Sequence, residues 1–298
     1  MASINTGYVF GIAAALIWSG FILVSRLGGL SELNAYDVIA IRYATCAVLL
    51  FPFWFFAYRF NLLKPKFVVI ALIGGLGYAV FTFKGFQLAP ASHAALLLPG
   101  AMPLFALMLT YLLKTENVST QKWIGVSIIT GGILLLFFDQ LTSIGEALIG
   151  DLLFLGGALS WTMMSILIKR WNITPWELTV CLAFFTCALY MPIYWVFLPK
   201  NIGMAHASDI ATQMVYQGFL ATIVQMLLFA KAVHYLGAAS MGSLMAIVPL
   251  VSGVGAFWLL NEPANPTLLS GLALVALGAW ISNTNTLLNI GTKLSVRS

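Results

Sequence analysis

Ten apolar segments, each close to the length of a bilayer-spanning helix, divide this chain of 298 residues. A helix needs about 20 predominantly apolar residues to cross the hydrocarbon core. Hydrophobic residues make up 61% of the chain and charged residues 8%, whereas soluble domains carry about 25% charged residues. We therefore predict an all-α membrane protein with ten transmembrane helices, over Tyr8–Arg26, Tyr36–Tyr58, Phe67–Ala89, Ala94–Leu113, Gln121–Phe138, Ala147–Lys169, Trp176–Leu198, Met214–Tyr235, Ser240–Leu260 and Thr267–Thr286.

Lysines and arginines lie mostly on one side of the predicted membrane. With a cytoplasmic N-terminus, only Arg26 and Lys200 fall on the outer side, while Arg42 and Lys84 fall inside helices. Because cytoplasmic loops are enriched in basic residues, we predict cytoplasmic termini and a place in the bacterial inner membrane. The first helix has no basic residue before it, so we expect it to be retained. The cytoplasmic set is Arg59, Lys64, Lys66, Lys114, Lys122, Lys169, Arg170, Lys231, Lys293 and Arg297.

The two halves of the sequence resemble each other at an offset that drifts only from 143 to 148 residues. Each half holds five apolar segments. Since five is odd, the second copy must cross the membrane in the opposite direction, which is the architecture of many secondary transporters. We predict two inverted five-helix repeats, residues 1–142 and 143–298. The matched pairs include Trp18 with Trp161, Lys84 with Lys231, Pro103 with Pro249, Glu116 with Glu262, Gly125 with Gly271 and Gly132 with Gly278.

Prolines fall inside apolar segments at matching places in the two halves. Pro99 and Pro103 interrupt the fourth segment, and Pro249 interrupts the ninth. A proline removes a backbone donor and clashes with the carbonyl four residues earlier. Matched helix breaks indicate a transporter's central site, and the alternative is a packing kink. We predict helix breaks at all three prolines.

The charged residues exclude several functions. All nine carboxylates are expected at helix ends or in loops, which disfavours proton coupling through a buried acid, since an intramembrane acid is a functional site by default. The three cysteines lie in apolar segments and the three histidines are scattered, so we expect no metal, no cofactor and no protease site. The net charge of +5 comes from short loops and does not indicate nucleic-acid binding. We expect no enzyme.

Two polar faces at matching depth predict a cavity between the halves. Helical periodicity places Tyr78 and Thr82 on one face of the third segment, and Gln225 is the repeat mate of Tyr78. Trp18 and Trp161 are matched indoles in the middle of their segments, where the ring faces can stack on an aromatic group or contact a cation. For each of these residues the alternative is helix packing or a bond to a neighbouring carbonyl.

Further candidates lie nearby. Met102 precedes Pro103 and suits adaptable apolar contacts. Lys84 is expected to extend its ammonium to the outer surface; the alternative is to bind a substrate carboxylate. We expect Arg42 to pair with Asp37 or another outer carboxylate, and His93 to be solvated or to cap the fourth helix.

Several of these motifs together resemble the drug/metabolite transporter superfamily, EamA type. They are Trp18-Ser19, Arg42, Pro103 followed by the Lys-Thr-Glu turn at 114–116, and Glu262-Pro263. Within that group the chain resembles the aromatic-lined amino-acid exporters of the YddG type. The resemblance implies ten helices, cytoplasmic termini and export of small metabolites, and it implies that Tyr78 and Trp161 line the cavity.

These observations predict a secondary transporter. We expect it to export small neutral metabolites, foremost aromatic or hydrophobic amino acids, by alternating access without a proton-coupling carboxylate. The alternatives are a multidrug or other metabolite exporter and, from another class, a sensory or structural membrane protein. The expected partners are the small-molecule substrate and the lipid bilayer, and a monomer is compatible with the sequence.

Overall fold

The computed structural model describes residues 2–112, 119–140 and 145–295, and the predicted turn at 114–116 and the junction between the repeats lie outside them. The described residues form helices and short connections, without strands. Each predicted segment coincides with a helix. Nine of these helices are long and apolar enough to cross a membrane, and the tenth has a shorter apolar part, Pro266–Ser282. The helices are α1 Ala2–Leu30, α2 Ala35–Phe56, α3 Pro65–Leu88, α4 Ala91–Leu112, α5 Thr120–Gln140, α6 Glu146–Arg170, α7 Pro175–Phe197, α8 Ala207–Leu236, α9 Ala238–Met245 and Val248–Leu259, and α10 Pro266–Ser295.

Local sequence signals explain where several helices begin. Pro65 and Pro175 occupy the first turns of α3 and α7, where the missing N–H costs no helical hydrogen bond. Asn34 exchanges hydrogen bonds with Asp37 at the start of α2, and Thr174 does the same with Glu177 at the start of α7. These reciprocal bonds satisfy backbone donors that the first helical turn leaves unpaired.

The predicted prolines have unequal effects. The predicted breaks at Pro99 and Pro103 are not observed, because α4 runs without interruption from Ala91 to Leu112. Each proline removes one hydrogen bond, and membrane helices tolerate this where neighbouring helices enclose them. The second half does show a break: α9 stops at Met245 and resumes at Val248, immediately before Pro249.

The helices form one bundle with two distinct ends. At one end, Asn34 donates to the Pro199 carbonyl, and the carboxylate of Glu262 accepts from the backbone of Ala91; we call it the Glu262 end. At the opposite end, the Lys66 ammonium donates to the Trp171 carbonyl; we call it the Lys122 end, after the residue near the start of α5. Between the two ends of the bundle, α5 and α10 approach each other closely at glycine residues.

Candidate functional site

Two adjacent cavities lie between the helices, with volumes of about 500 and 390 Å³. Both volumes fall in the range of small-molecule sites, about 300–1,000 Å³. Side chains from both halves of the chain form their shared wall. The residues common to the two cavities are Trp18, Trp161, Ser165, Phe229 and Met245.

The larger cavity extends from the interior of the bundle towards the Lys122 end. Its deep part is lined by Phe21, Arg42 and Tyr78, and its other end by Ile173 and Pro175, which flank the connection between α6 and α7. The smaller cavity also extends towards that end, as far as Lys122. Among the described residues, none from the connections at the Glu262 end lines either cavity. Both cavities therefore reach the same end of the bundle.

Five of the seven predicted binding residues line these cavities. Tyr78 and Gln225 lie on the larger one, Met102 on the smaller one, and Trp18 and Trp161 on both. The rings of Tyr78 and Trp161 are in contact, with centroids 5.1 Å apart at an angle of 56°. The predicted breaking prolines, Pro99, Pro103 and Pro249, all line the smaller cavity.

Thr82 and Lys84 lie elsewhere. Thr82 is buried where α3 packs against α6, and a side chain added at Gly157 would meet its hydroxyl at 2.6 Å. The Lys84 ammonium donates to Gln87 Oε1 at 3.1 Å and lies 4.4 Å from the centre of the Tyr36 ring. Neither residue lines either of these two cavities.

Two π-helical segments orient the cavity residues, and sequence reasoning missed both. Residues Ala71–Gly77 of α3 and Met214–Val224 of α8 are π-helical, a geometry frequent at functional sites. Tyr78 and Gln225 are the first α-helical residues after them. The extra residue of a π turn changes which face the following side chains occupy. The glycines at 74, 75 and 77 are the only sequence signal of the first segment.

Helix α2 binds both π segments through their carbonyl groups. Tyr43 donates its hydroxyl to the Gly75 carbonyl at 3.1 Å, and the Cys46 thiol donates to the Gly218 carbonyl at 2.9 Å. Gly75 and Gly218 lie 143 residues apart, at the lower limit of the repeat offset and four residues short of the offset that relates Tyr78 to Gln225. The same helix thus fixes the two irregular turns that precede Tyr78 and Gln225.

Arg42 does not pair with Asp37, contrary to the expectation from sequence. Its Nη1 donates to Gln217 Oε1 at 3.1 Å, and its Nε is buried without a hydrogen-bond partner. The Asp37 carboxylate instead accepts from the Tyr194 hydroxyl at 2.6 Å and the Asn201 amide at 3.1 Å. Five residues turn a helix by about 500°, so positions 37 and 42 lie roughly 140° apart around α2. The spacing of Asp37 and Arg42 is the sequence signal that argues against their pairing.

The Glu262 end is closed by carboxylates that hold other helices. The Glu262 carboxylate accepts from the backbone amides of Ala91 and Ser92, at 2.7 and 2.9 Å, and from the Ser92 hydroxyl at 2.6 Å. The two backbone amides are donors that the first turn of α4 leaves unpaired, and negative charge is favoured there. The Arg26 guanidinium lies 3.6 Å from Glu262 and also donates to the Phe86 carbonyl.

A buried histidine and carboxylate form a further contact near this end. His93 Nδ1 lies 2.9 Å from Asp151 Oδ1, and Asp151 is 0% exposed inside α6. His93 was expected to be solvated or to cap a helix, and all carboxylates were expected at helix ends or in loops. Both expectations are wrong here, because the two residues supply each other's polar partner within the packed bundle. Neither His93 nor Asp151 lines either of the two cavities described above.

A bundle of membrane-length helices around a cavity that reaches one end is the arrangement of a membrane transporter. Residues 5–138 and 148–284 each match the model of the EamA-like transporter family. The chain belongs to the EamA-like transporter family. The resemblance to the EamA type stated from sequence is therefore confirmed.

Individual relatives are distant. A probable amino-acid metabolite efflux pump of Escherichia coli is 24% identical over 92% of this chain and 93% of its own length. An S-adenosylmethionine uptake transporter of Rickettsia prowazekii is 22% identical over 82% and 81%. The uncharacterized transporter YoaV of Bacillus subtilis is 20% identical over 91% and 94%. A solved crystal structure superposes with a TM-score of 0.64 at 20% identity, covering 94% of this chain and 97% of the other, which supports the fold alone.

Proposed function

We propose that this EamA-like transporter exports small neutral metabolites, foremost aromatic or hydrophobic amino acids, by alternating access. The observation that carries the proposal is the aromatic-lined cavity formed jointly by the two halves. Trp18 and Tyr78 come from the first half, and Trp161 and Phe229 from the second. Aromatic walls with few polar groups suit a ligand that has an apolar side chain and one polar end. The name of the Escherichia coli relative agrees with this substrate class.

Symmetric helix contacts support two inverted repeats. Helix α1 packs on α8 and α3 on α6, while α2 packs on α7 and α5 on α10. If the two halves are interchanged, the α1–α8 contact becomes the α3–α6 contact, and the α2–α7 and α5–α10 contacts map onto themselves. A Cβ added at Gly125 would meet the Gly278 carbonyl, and one added at Gly132 would meet the Gly271 carbonyl; the same exchange relates these two contacts. Such symmetry is expected for repeats related by a twofold axis in the membrane plane.

The direction of export follows from the proposed orientation. Lys66, Lys122 and Lys169 lie towards the Lys122 end of the bundle, which is therefore proposed to face the cytoplasm. Both cavities reach that end, so a metabolite would enter them from the cytoplasm. We propose that this arrangement is the state that loads substrate for export from an inner membrane, and that a single chain suffices.

No described carboxylate lines either cavity. We therefore propose that the substrate moves down its own gradient without a coupled proton. Flux into proteoliposomes should be unchanged when an imposed pH gradient is collapsed. A flux that followed the pH gradient would contradict this mode of transport.

Transport by purified protein in proteoliposomes tests the proposal. Labelled phenylalanine, tryptophan, threonine and methionine form the panel, and we expect the aromatic substrates to be carried fastest. Trp161→Ala should lower phenylalanine flux by about tenfold, because a buried aromatic contact worth about 1.4 kcal/mol changes affinity by that factor. Tyr78→Ala should act in the same direction.

The control for these variants is Trp258→Ala, which removes an indole that is 82% exposed on the outside of the bundle. It should leave flux unchanged. A wild-type protein that carried none of the four amino acids would remove the amino-acid proposal, and flux of bulky drugs alone would favour a multidrug exporter. Absence of any flux would favour a sensory or structural protein.

A further inference from the structure

We propose that the Arg42 guanidinium binds the carboxylate of the transported amino acid, and that this carboxylate rather than the amino group is what the cavity selects, so that small organic acids with an apolar body and no free amino group are accepted as well. This inference rests on the proposed transport function of the cavity and adds the chemical class that the cavity selects. Lys84, the basic residue considered for this role from sequence, lies off both cavities.

The charge of Arg42 has no counter-ion within the described part of the chain. Arg42 lies on the wall of the larger cavity and is 7% exposed. Its recorded hydrogen bond goes to a neutral amide, that of Gln217, and its Nε is buried without a partner. A buried charge without a partner is strongly unfavourable. An anionic ligand in the cavity would supply the missing partner.

Neighbouring groups hold the guanidinium in place. Gln217 donates its own amide to the Ser25 hydroxyl at 2.9 Å, which leaves its oxygen to accept from Arg42. The guanidinium carbon lies 5.3 Å from the centre of the Phe21 ring and 5.8 Å from that of Phe83. Hydrogen bonds and ring contacts from three helices therefore fix the donor group, and a fixed planar fork is suited to bind a carboxylate through two bonds.

The nearest acidic residue along α2 is not available to neutralise Arg42. The Asp37 carboxylate accepts from Tyr194, Asn201 and the backbone of Asn34. These donors satisfy the carboxylate at the Glu262 end and leave the cavity without an internal anion near Arg42. The structure thus separates a basic group on the cavity wall from an acidic group in the closure.

The remaining cavity wall explains why the amino group is dispensable. Beyond Arg42, the larger cavity presents the rings of Trp18, Tyr78 and Trp161 and the neutral amide of Gln225. A substrate ammonium would meet ring faces or neutral oxygens, whereas a substrate carboxylate would meet a full positive charge. The carboxylate is therefore the group whose removal should matter most.

Wild-type protein gives the first test, through competition with labelled phenylalanine in proteoliposomes. Phenyllactate and N-acetylphenylalanine keep the carboxylate and lack a free amino group; phenylalaninamide and phenethylamine lack the carboxylate. We expect the first pair to compete within about threefold of phenylalanine itself, and the second pair to compete at least tenfold more weakly. Equal competition by phenylalaninamide would overturn the inference while leaving the transport function intact. If phenylalanine is not carried, labelled phenyllactate takes its place, and flux of neither acid would remove both proposals.

Variants give the second test. Arg42→Gln should lower phenylalanine flux at least tenfold and abolish the preference for phenylalanine over its amide, whereas Arg42→Lys should keep part of both. Lys84→Gln is the matched control, since it removes a cation one helix away that lies off both cavities, and it should leave flux and preference unchanged. Unchanged preference in folded Arg42→Gln would overturn the inference. If that variant does not fold, the wild-type competition decides alone.

Discussion

The two ends of this bundle are built differently. At the Glu262 end, Glu262 accepts from three donors at the start of α4, and Asp37 accepts from Tyr194 and from the backbone amides of Asn34 and Asn201. At the Lys122 end, the described interhelical bonds are single donors on main-chain carbonyls, such as Lys66 on Trp171 and Trp176 on Tyr58. Both cavities reach the second end. Closure in this protein thus coincides with carboxylates that accept several hydrogen bonds.

Each closing contact at the Glu262 end joins the two halves of the chain. Glu262 belongs to the second half and binds Ser92 of the first, and Asp37 of the first half binds Tyr194 of the second. The pair of His93 and Asp151 likewise crosses between halves. Opening this end by moving one half against the other would therefore break all three contacts. Substitutions that weaken these contacts one at a time test whether they hold this end closed.

Asp151→Ala should have the largest effect. It leaves His93 without its partner in a buried site, and a buried polar group that loses its hydrogen-bond partner costs about 1–3 kcal/mol, more where the group is charged. The midpoint of thermal unfolding in detergent should fall clearly. Asp209→Ala is the control at the same end; its carboxylate lies in the first turn of α8, where loss of the helix-dipole contact costs at most about 1 kcal/mol. Equal losses in the two variants would show that burial of Asp151 contributes nothing.

Glu262→Gln should open the closed end without unfolding the protein. The amide keeps the shape but loses the charge that two backbone donors and the Ser92 hydroxyl share, and bonds to charged groups contribute about 1.5–3 kcal/mol each. A loss of about 1.4 kcal/mol shifts an equilibrium tenfold. Labelling of Met245→Cys by an impermeant maleimide, added from the side that Glu262 faces in a background without the native cysteines, should therefore rise about tenfold.

Glu177→Gln is the matched control for that experiment. Glu177 also satisfies the start of a helix, but it does so within its own capping box at the Lys122 end. Loss of the Glu177 charge should not change labelling of Met245→Cys from the Glu262 side. If both glutamine variants increased labelling equally, the closure would not depend on the contact between halves.

The sequence was sufficient for some features of this site and insufficient for others, for physical reasons. The bilayer fixes the length of an apolar helix, so the helices could be located from composition. Helical periodicity and the internal repeat placed Tyr78, Gln225 and both tryptophans on the cavities. The partners of Arg42 and His93 could not be read, because they come from helices far away in the sequence. The π segments were missed because one extra residue per turn leaves no pattern beyond nearby glycines.

Tyr194→Phe should give the smallest effect. It removes one of the donors to Asp37, the hydroxyl at 2.6 Å, while Asn34 and Asn201 continue to donate through their backbone amides. A loss of about 1 kcal/mol should increase labelling of the Met245→Cys reporter by less than tenfold. Tyr235→Phe, at the Lys122 end, is the control and should change nothing. In a double-mutant cycle with Asp37→Asn, the effect of Tyr194→Phe should largely disappear, because the carboxylate that received its hydrogen bond is gone. Full additivity of the two changes would mean that the tyrosine supports closure through ring packing rather than through this bond.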